Sequence, residues 1–242
     1  MAGAKVEAAA RSMKRFYKLA TIAPAEAGFA IALDGRPVKT PAKAPLAVPS
    51  KALAEAVAGE WNGQSEEIDP RSMPLTGLAN AAIDRVTPDP EAFAATLARY
   101  GESDLLCYRA EAPVSLVKRQ AEGWDPLLQW ARRRFDVDFE IATGIIHRPQ
   151  PRPTLDRLAR AIAARLPFEL AALSPLVTIS GSLVVAMALA ERAIDFETAW
   201  SAAILDEAWQ AEQWGADPLA AASLDARRAE FEAADRFLAL HP

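Results

Sequence analysis

From Leu170 to Ala190 the chain carries no charged side chain, and no other feature narrows the possible folds as much. A run of roughly twenty uncharged residues is long enough to cross a bilayer as one helix. Pro175 and the Ser180-Gly181-Ser182 cluster divide this run, and the acids Glu169 and Glu191 close its ends. A spanning helix would favour Lys and Arg asymmetry there. Two helices buried in the core of a soluble body fit better than a membrane span. A 242-residue chain with 51% hydrophobic residues is large enough to build such a core without disulfides or metals.

Charge narrows the partners. The 27 Lys and Arg against 32 Asp and Glu give a net charge of −5, which argues against nucleic acid or an anionic membrane as ligand, because both need a basic surplus. One cysteine, Cys107, excludes an internal disulfide and suits a reducing compartment. Within Leu105-Leu106-Cys107-Tyr108 it reads as a small buried hydrophobe and not a nucleophile. Met1 to Lys14 is alanine-rich with Lys5, Arg11 and Lys14 against Glu7. That resembles a weak transit peptide, although sparse serine fits an ordinary terminus better. No secretory signal is visible.

The patterning predicts an α+β chain: a small N-terminal antiparallel β unit with helices over residues 1–80, then a mostly α-helical domain over 81–242. Arg15 to Leu19 reads as a strand. Phe29 to Leu33 runs into Asp34-Gly35, the pair that suits the positive φ angles of a type I′ hairpin turn, and Arg36 to Thr40 forms the return strand. Leu46-Ala47-Val48 is a further extended segment. Ser50 caps a helix along Leu53, Val57 and Trp61, and a short helix passes through Leu78 and Ile83. Asp89-Pro90, Asp125-Pro126 and Asp217-Pro218 each read as a cap followed by a first-turn proline, with Gly101 ending the first of these helices. Thr154 opens another helix. The proline run from Arg148 to Pro153 is a linker or a loop crossing one helical domain.

The functional signal is strongest between Asp195, a helix cap, and Gly215, a terminator. At about 100° per residue a continuous helix here aligns Phe196, Trp200, Ala203, Glu207, Ala211 and Trp214 on one stripe. Glu207 then lies among aromatics, where an unpaired carboxylate is costly. Three readings follow: a buried carboxylate paired with an arginine, a carboxylate lining a partner-binding face, or a catalytic acid or base. The sequence shows no phosphate-binding glycine loop, no dinucleotide fingerprint, no nucleophile elbow and no H-E-x-x-H zinc motif. His147 and His241 are the only histidines and make no recognisable metal site. No cofactor and no metal are expected. A small carboxylate-dependent hydrolase is the alternative reading.

Several segments, taken in order, carry a resemblance: Arg15-Phe16-Tyr17-Lys18, Leu33-Asp34-Gly35-Arg36, Lys39-Thr40-Pro41, Leu46 and Val48-Pro49-Ser50, and Glu60-Trp61 with Gln64. Next come Met73-Pro74-Leu75-Thr76, Asp104-Leu105-Leu106-Cys107-Tyr108-Arg109, Gln120 with Trp124-Asp125-Pro126, Thr143-Gly144-Ile145, Leu205-Asp206-Glu207, Gln210 and Trp214-Gly215. In order and spacing the chain resembles the assembly chaperones of the F-type ATP synthase found in mitochondria and alphaproteobacteria. Asn62 stands where that pattern has an aspartate. The resemblance implies a non-enzymatic, ATP-independent chaperone. Its client would be the unassembled alpha subunit of the catalytic head, whose apolar inter-subunit surface it shields. It also implies that the family's acidic position falls on Glu207. Trp200, Asp206, Glu207, Gln210 and Trp214 are the expected partner-binding residues. The expected protein is a soluble monomer of the bacterial cytoplasm, or of the mitochondrial matrix.

Overall fold

A computed structural model describes residues 13–26, 28–144, 148–215 and 217–241. Residues 1–12 of the transit-like segment, Ile145 and His147 lie outside the described residues.

The β unit is built on one hairpin. β1 (Met13–Lys14) stands apart from it. β2 (Ala20–Ala25) pairs along its whole length with β3 (Gly28–Leu33), and the other edge of β3 receives β4 (Arg36–Pro37) and β5 (Ala47–Val48), all antiparallel. The β3–β4 turn falls on Asp34 and Gly35, with φ of 47° and 80°, the left-handed pair that the sequence predicts. The return strand stops at Pro37. The expected strand over Arg15–Leu19 is instead an irregular loop, because Arg15 spends its guanidinium on the carbonyls of Tyr17, Lys18, Asn62 and Gln64. α1 (Lys51–Asn62) is capped by Ser50, whose hydroxyl accepts from Leu53 N–H at 3.0 Å. β6 (Glu67–Ile68) then pairs with β1. Asn62 donates to Ala20 O and accepts from Ala20 N–H, at 2.9 and 2.8 Å. An aspartate lacks that donor, so the asparagine here closes a reciprocal pair.

Helices make the rest. α2 (Pro74–Ala81) runs into a π turn over Ala82–Val86, and α3 (Pro90–Ala98) starts at the Asp89 cap, with Ala92 N–H donating at 3.0 Å. α3 ends at Ala98, and Gly101 belongs to the 3₁₀ turn that follows. β7 (Tyr108–Arg109) pairs in parallel with β8 (Ala142–Thr143), on either side of α4 (Val114–Phe135). The expected boundary at Asp125-Pro126 lies inside α4. Asp125 bonds Arg109 at 2.8 Å and does not cap, while Trp124, Leu127 and Leu128 keep one buried face running through the proline. α5 (Arg152–Ala163) begins before Thr154, whose hydroxyl donates to Asp138 O at 2.6 Å. In the proline run, Gln150 is buried and bonds both the N–H and the carbonyl of Glu140, which makes the run a crossing loop.

The uncharged run folds as α6 (Pro167–Ser180) and α7 (Leu183–Ala190), separated at Gly181 with φ 66°. α6 continues through Pro175, so only the Ser-Gly-Ser cluster breaks it. Every side chain from Leu183 to Leu189 is buried. Among the described residues no helix is long and apolar enough to cross a membrane. α8 (Phe196–Ala203), α9 (Leu205–Trp214) and α10 (Pro218–Leu240) complete the chain. One core gathers Trp124, Leu128, Leu158, Ile162 and Phe231 around α6 and α7. A second joins Ile31, Leu46, Val48, Leu53 and Leu75 to Phe237 near the end of α10.

Cys107 is 1% exposed, and burial followed by the nearby Asp104 charge pushes its thiol up to about 12. The native protein is therefore expected to resist alkylation by iodoacetamide at pH 8 and to react fully in 6 M guanidinium, at least a hundredfold faster. Rapid labelling of the native chain, read by mass spectrometry, would contradict that placement.

Candidate partner-binding site

The Asp195–Gly215 segment is where the structure departs most from the simple helix. Asp195 caps it, accepting from Thr198 N–H at 2.8 Å, and Gly215 ends it. In between, the chain breaks at Ile204, whose ψ of 11° leaves the helical range. The carbonyl of Ala202, just before the break, receives the Trp124 indole N–H at 2.9 Å. The stripe drawn across one helix is thereby split. Phe196 and Trp200 turn inward against Phe231, and Trp200 is only 4% exposed. Trp200 is therefore removed from the open face on which the sequence places it. Trp214, beyond the break, is 75% exposed.

Polar contacts fix the direction of α9. Asp206 accepts from Gln120 Nε2 at 2.8 Å, and the Oε1 of the same glutamine accepts from Ala110 N–H at 2.9 Å. Through Gln120, Asp206 thus ties α9 to α4 and to the chain just after β7. Gly123 permits the close approach: a Cβ there would lie 2.8 Å from Leu205 Cδ1. Further out, Arg119 donates to Glu212 at 2.6 Å, which lowers the Glu212 pKa. On the other flank Arg227 of α10 grips both oxygens of Glu207, one at 3.0 Å. Glu207 keeps about half of its side chain in solvent. It is paired yet exposed, which joins two of the sequence readings. Its carboxylate is engaged by Arg227, and it does not line the groove between α4, α8 and α9.

Beyond these ties the polypeptide projects. From Gln210 to Trp214 every residue is exposed, and so is every residue from 217 to 223 at the start of α10. The arm carries Trp214, Pro218, Leu219 (81% exposed) and the alanines that follow. Trp209 meets Trp214 edge to face at 5.7 Å. Beside its root, α4, α8 and α9 border a groove of about 810 Å³ floored by Leu127, Trp130, Ile204 and Leu205. No cluster of three or more His, Cys, Asp or Glu groups that could hold a metal occurs among the described residues. Leu219 and the alanines of α10, exposed beyond Trp214, were not among the residues expected from the sequence. Their signal was an alanine-rich apolar turn straight after the Asp217-Pro218 cap.

A helical body that spends its polar contacts on bracing an apolar arm has the architecture of a protein-binding chaperone. Comparison with known proteins agrees. The profile of the family described as ATP12 chaperone protein matches residues 14–132. The crystal structure of Atp12 from Paracoccus denitrificans is 44% identical, with a TM-score of 0.90, over 95% of this chain and 98% of that one. The structure of a mutant of the same Paracoccus protein superposes with a TM-score of 0.89 at 44% identity, covering 94% and 97%. The mitochondrial protein atp12 of Schizosaccharomyces pombe is 26% identical over 216 residues, 84% of this chain and 74% of that protein. This chain belongs to the ATP12 chaperone family.

Proposed function

We propose that this protein is an assembly chaperone of the F-type ATP synthase that holds the unassembled alpha subunit of the catalytic head, with no turnover of ATP. The observation that carries the proposal is the arm. Trp214, Leu219 and the alanines after it leave apolar side chains exposed at two successive helix ends, and such a surface marks an interaction site. An alpha subunit awaiting its neighbours exposes apolar inter-subunit area, and covering it withdraws the aggregation-prone species from solution. Glu207 and Gln210 border the contact at the root of the arm, and Trp214 supplies its anchor. Trp200 and Asp206 act from behind, one by packing and one by orienting α9. The high identity to a bacterial relative favours the cytoplasm as the site of action.

Trp214→Ala is expected to weaken capture of isolated alpha subunit at least tenfold in a pull-down and to leave the melting temperature unchanged. Burying an indole contributes a few kcal/mol at an interface centre, whereas an exposed one does little for folding. Glu207→Gln should weaken capture severalfold, at a stability cost under about 1 kcal/mol. Full capture by a folded Trp214→Ala variant would remove the arm from the client contact.

A further inference from the structure

The arm has almost no core of its own. Among the described residues none from Asp206 to Glu230 is buried. Leu205, seated over Gly123, precedes that stretch, and the buried Phe231 follows it. Between them Leu224 meets the edge of the helical core, itself only partly buried. Helices in proteins draw most of their stability from packing an apolar face, and this stretch packs very little. α9 is also jointed at both ends, at Ile204 with its ψ of 11° and at Gly215 with φ 88°.

Polar ties stand in place of packing. Beside the break, Asp206 accepts from Gln120 at 2.8 Å. At the far end of α9, Arg119 of α4 donates to Glu212 at 2.6 Å. On α10, Arg228 donates to Glu197 of α8, and its guanidinium lies over the Phe196 and Trp200 rings at 5.0 and 5.7 Å. Arg228 thus holds α10 just where the helix leaves the core at Phe231. The adjacent Arg227 bonds Glu207 and so binds α10 to α9.

The two outer ion pairs have opposite polarity. The body supplies the cation to one, Arg119, and the acid to the other, Glu197. An arm shifted so as to exchange the partners would set Glu212 against Glu197 and Arg228 against Arg119, which like charge disfavours. Glu212 and Glu197 keep 54% and 67% of their side chains in solvent. Exposed pairs of this kind are weak beside a packed core and are screened by salt. Here no packed core competes with them, so they decide.

We infer that Arg119 and Arg228 are positioning residues of the arm, whose ion pairs with Glu212 and Glu197 latch it at the attitude in which Trp214 and Leu219 meet the client. The attitude rests on the ion pairs alone, and its consequence for binding rests on the proposed chaperone function. An arm aligned before contact loses less freedom on binding, so releasing it weakens capture.

The test uses the full chain with nitroxide labels on Gln129→Cys and Ser223→Cys, both exposed positions, one on α4 and one on the arm. Cys107 is buried and stays unlabelled. The distance distribution between the labels should be narrow in the parent at low salt and broaden in about 0.5 M sodium chloride. Arg119→Glu/Arg228→Glu should broaden it at low salt, and adding Glu212→Arg/Glu197→Arg should narrow it again. Without labels, the reversed variant should capture isolated alpha subunit roughly fivefold less well than the parent. The fourfold swap should regain that loss, and all three should melt alike because the altered side chains are largely exposed. Restoration by the swap separates positioning from simple loss of a side chain. A reversed variant whose distances stay as narrow as the parent's overturns the latch and leaves the chaperone reading intact. A reversed variant with broadened distances and undiminished capture overturns the positioning role. A parent that retains no alpha, while the distances behave as described, overturns the chaperone reading and not the latch.

Discussion

Trp124→Ala is expected to lower folding stability by about 4 kcal/mol, the usual loss for a large aromatic removed from a packed core. Trp124 has no solvent exposure and does three jobs at once. Its ring fills the centre of the helical core with Leu128 and Phe231. Its indole N–H donates to Ala202 O at 2.9 Å, where α8 gives way to α9. Its face lies 5.3 Å below the Arg109 guanidinium, which itself bonds Asp125 and Leu106 O. Alanine leaves a cavity and takes away the bond that Ala202 O accepts beside the break at Ile204. Urea unfolding followed by far-UV circular dichroism measures the loss, and Trp124→Phe should recover about half of it by refilling the volume. A loss below about 1 kcal/mol for the alanine variant would mean that Trp124 does not hold this junction.

Asp104→Ala should cost about 3 kcal/mol in mildly acidic buffer, because it orphans buried backbone donors at roughly 1–3 kcal/mol each. The carboxyl is fully buried and accepts from Leu106 N–H at 3.1 Å and from Val184 N–H at 3.0 Å. It thereby fastens the turn before β7 to the first residues of α7. Burial pushes this carboxyl up to about 6, and bonds from Ser182, Val184, Leu106 and Leu183 restrain the rise. The folded chain therefore holds the proton more tightly than the unfolded one. The resulting stability is complete below about pH 4 and is lost as pH rises through about 6. Unfolding curves at pH 5 and pH 7.5 should thus show a larger gap between parent and variant at pH 5. A gap that widens toward alkaline pH would contradict the assignment.

Local rules made much of the fold legible. The Asp34-Gly35 turn, the caps at Ser50, Asp89, Asp195 and Asp217, and the stop at Gly215 all follow from short-range backbone chemistry. The misreadings arise where a distant partner overrides the local preference. Arg15 captures carbonyls from α1 and its C-terminal loop and forbids a strand, and Arg109 draws Asp125 away from capping. Trp124, far off in sequence, marks the junction that splits the Asp195–Gly215 helix and turns Trp200 inward. Many signature residues prove to be internal struts. Glu60 accepts from Leu75 N–H, Thr76 N–H and the Thr76 hydroxyl at 2.7 Å, and Gln64 bonds Ser72 and Asp69. Of the expected partner-binding residues, Glu207, Gln210 and Trp214 reach solvent, whereas Asp206 is tied to Gln120 and Trp200 is buried.

Co-expression with isolated alpha and, separately, isolated beta subunit of an F-type ATP synthase tests the central claim most directly. The parent chain is expected to keep alpha, and not beta, in the soluble fraction, and Trp214→Ala to release alpha to the pellet. Alpha that precipitates equally with and without the parent chain would contradict the account.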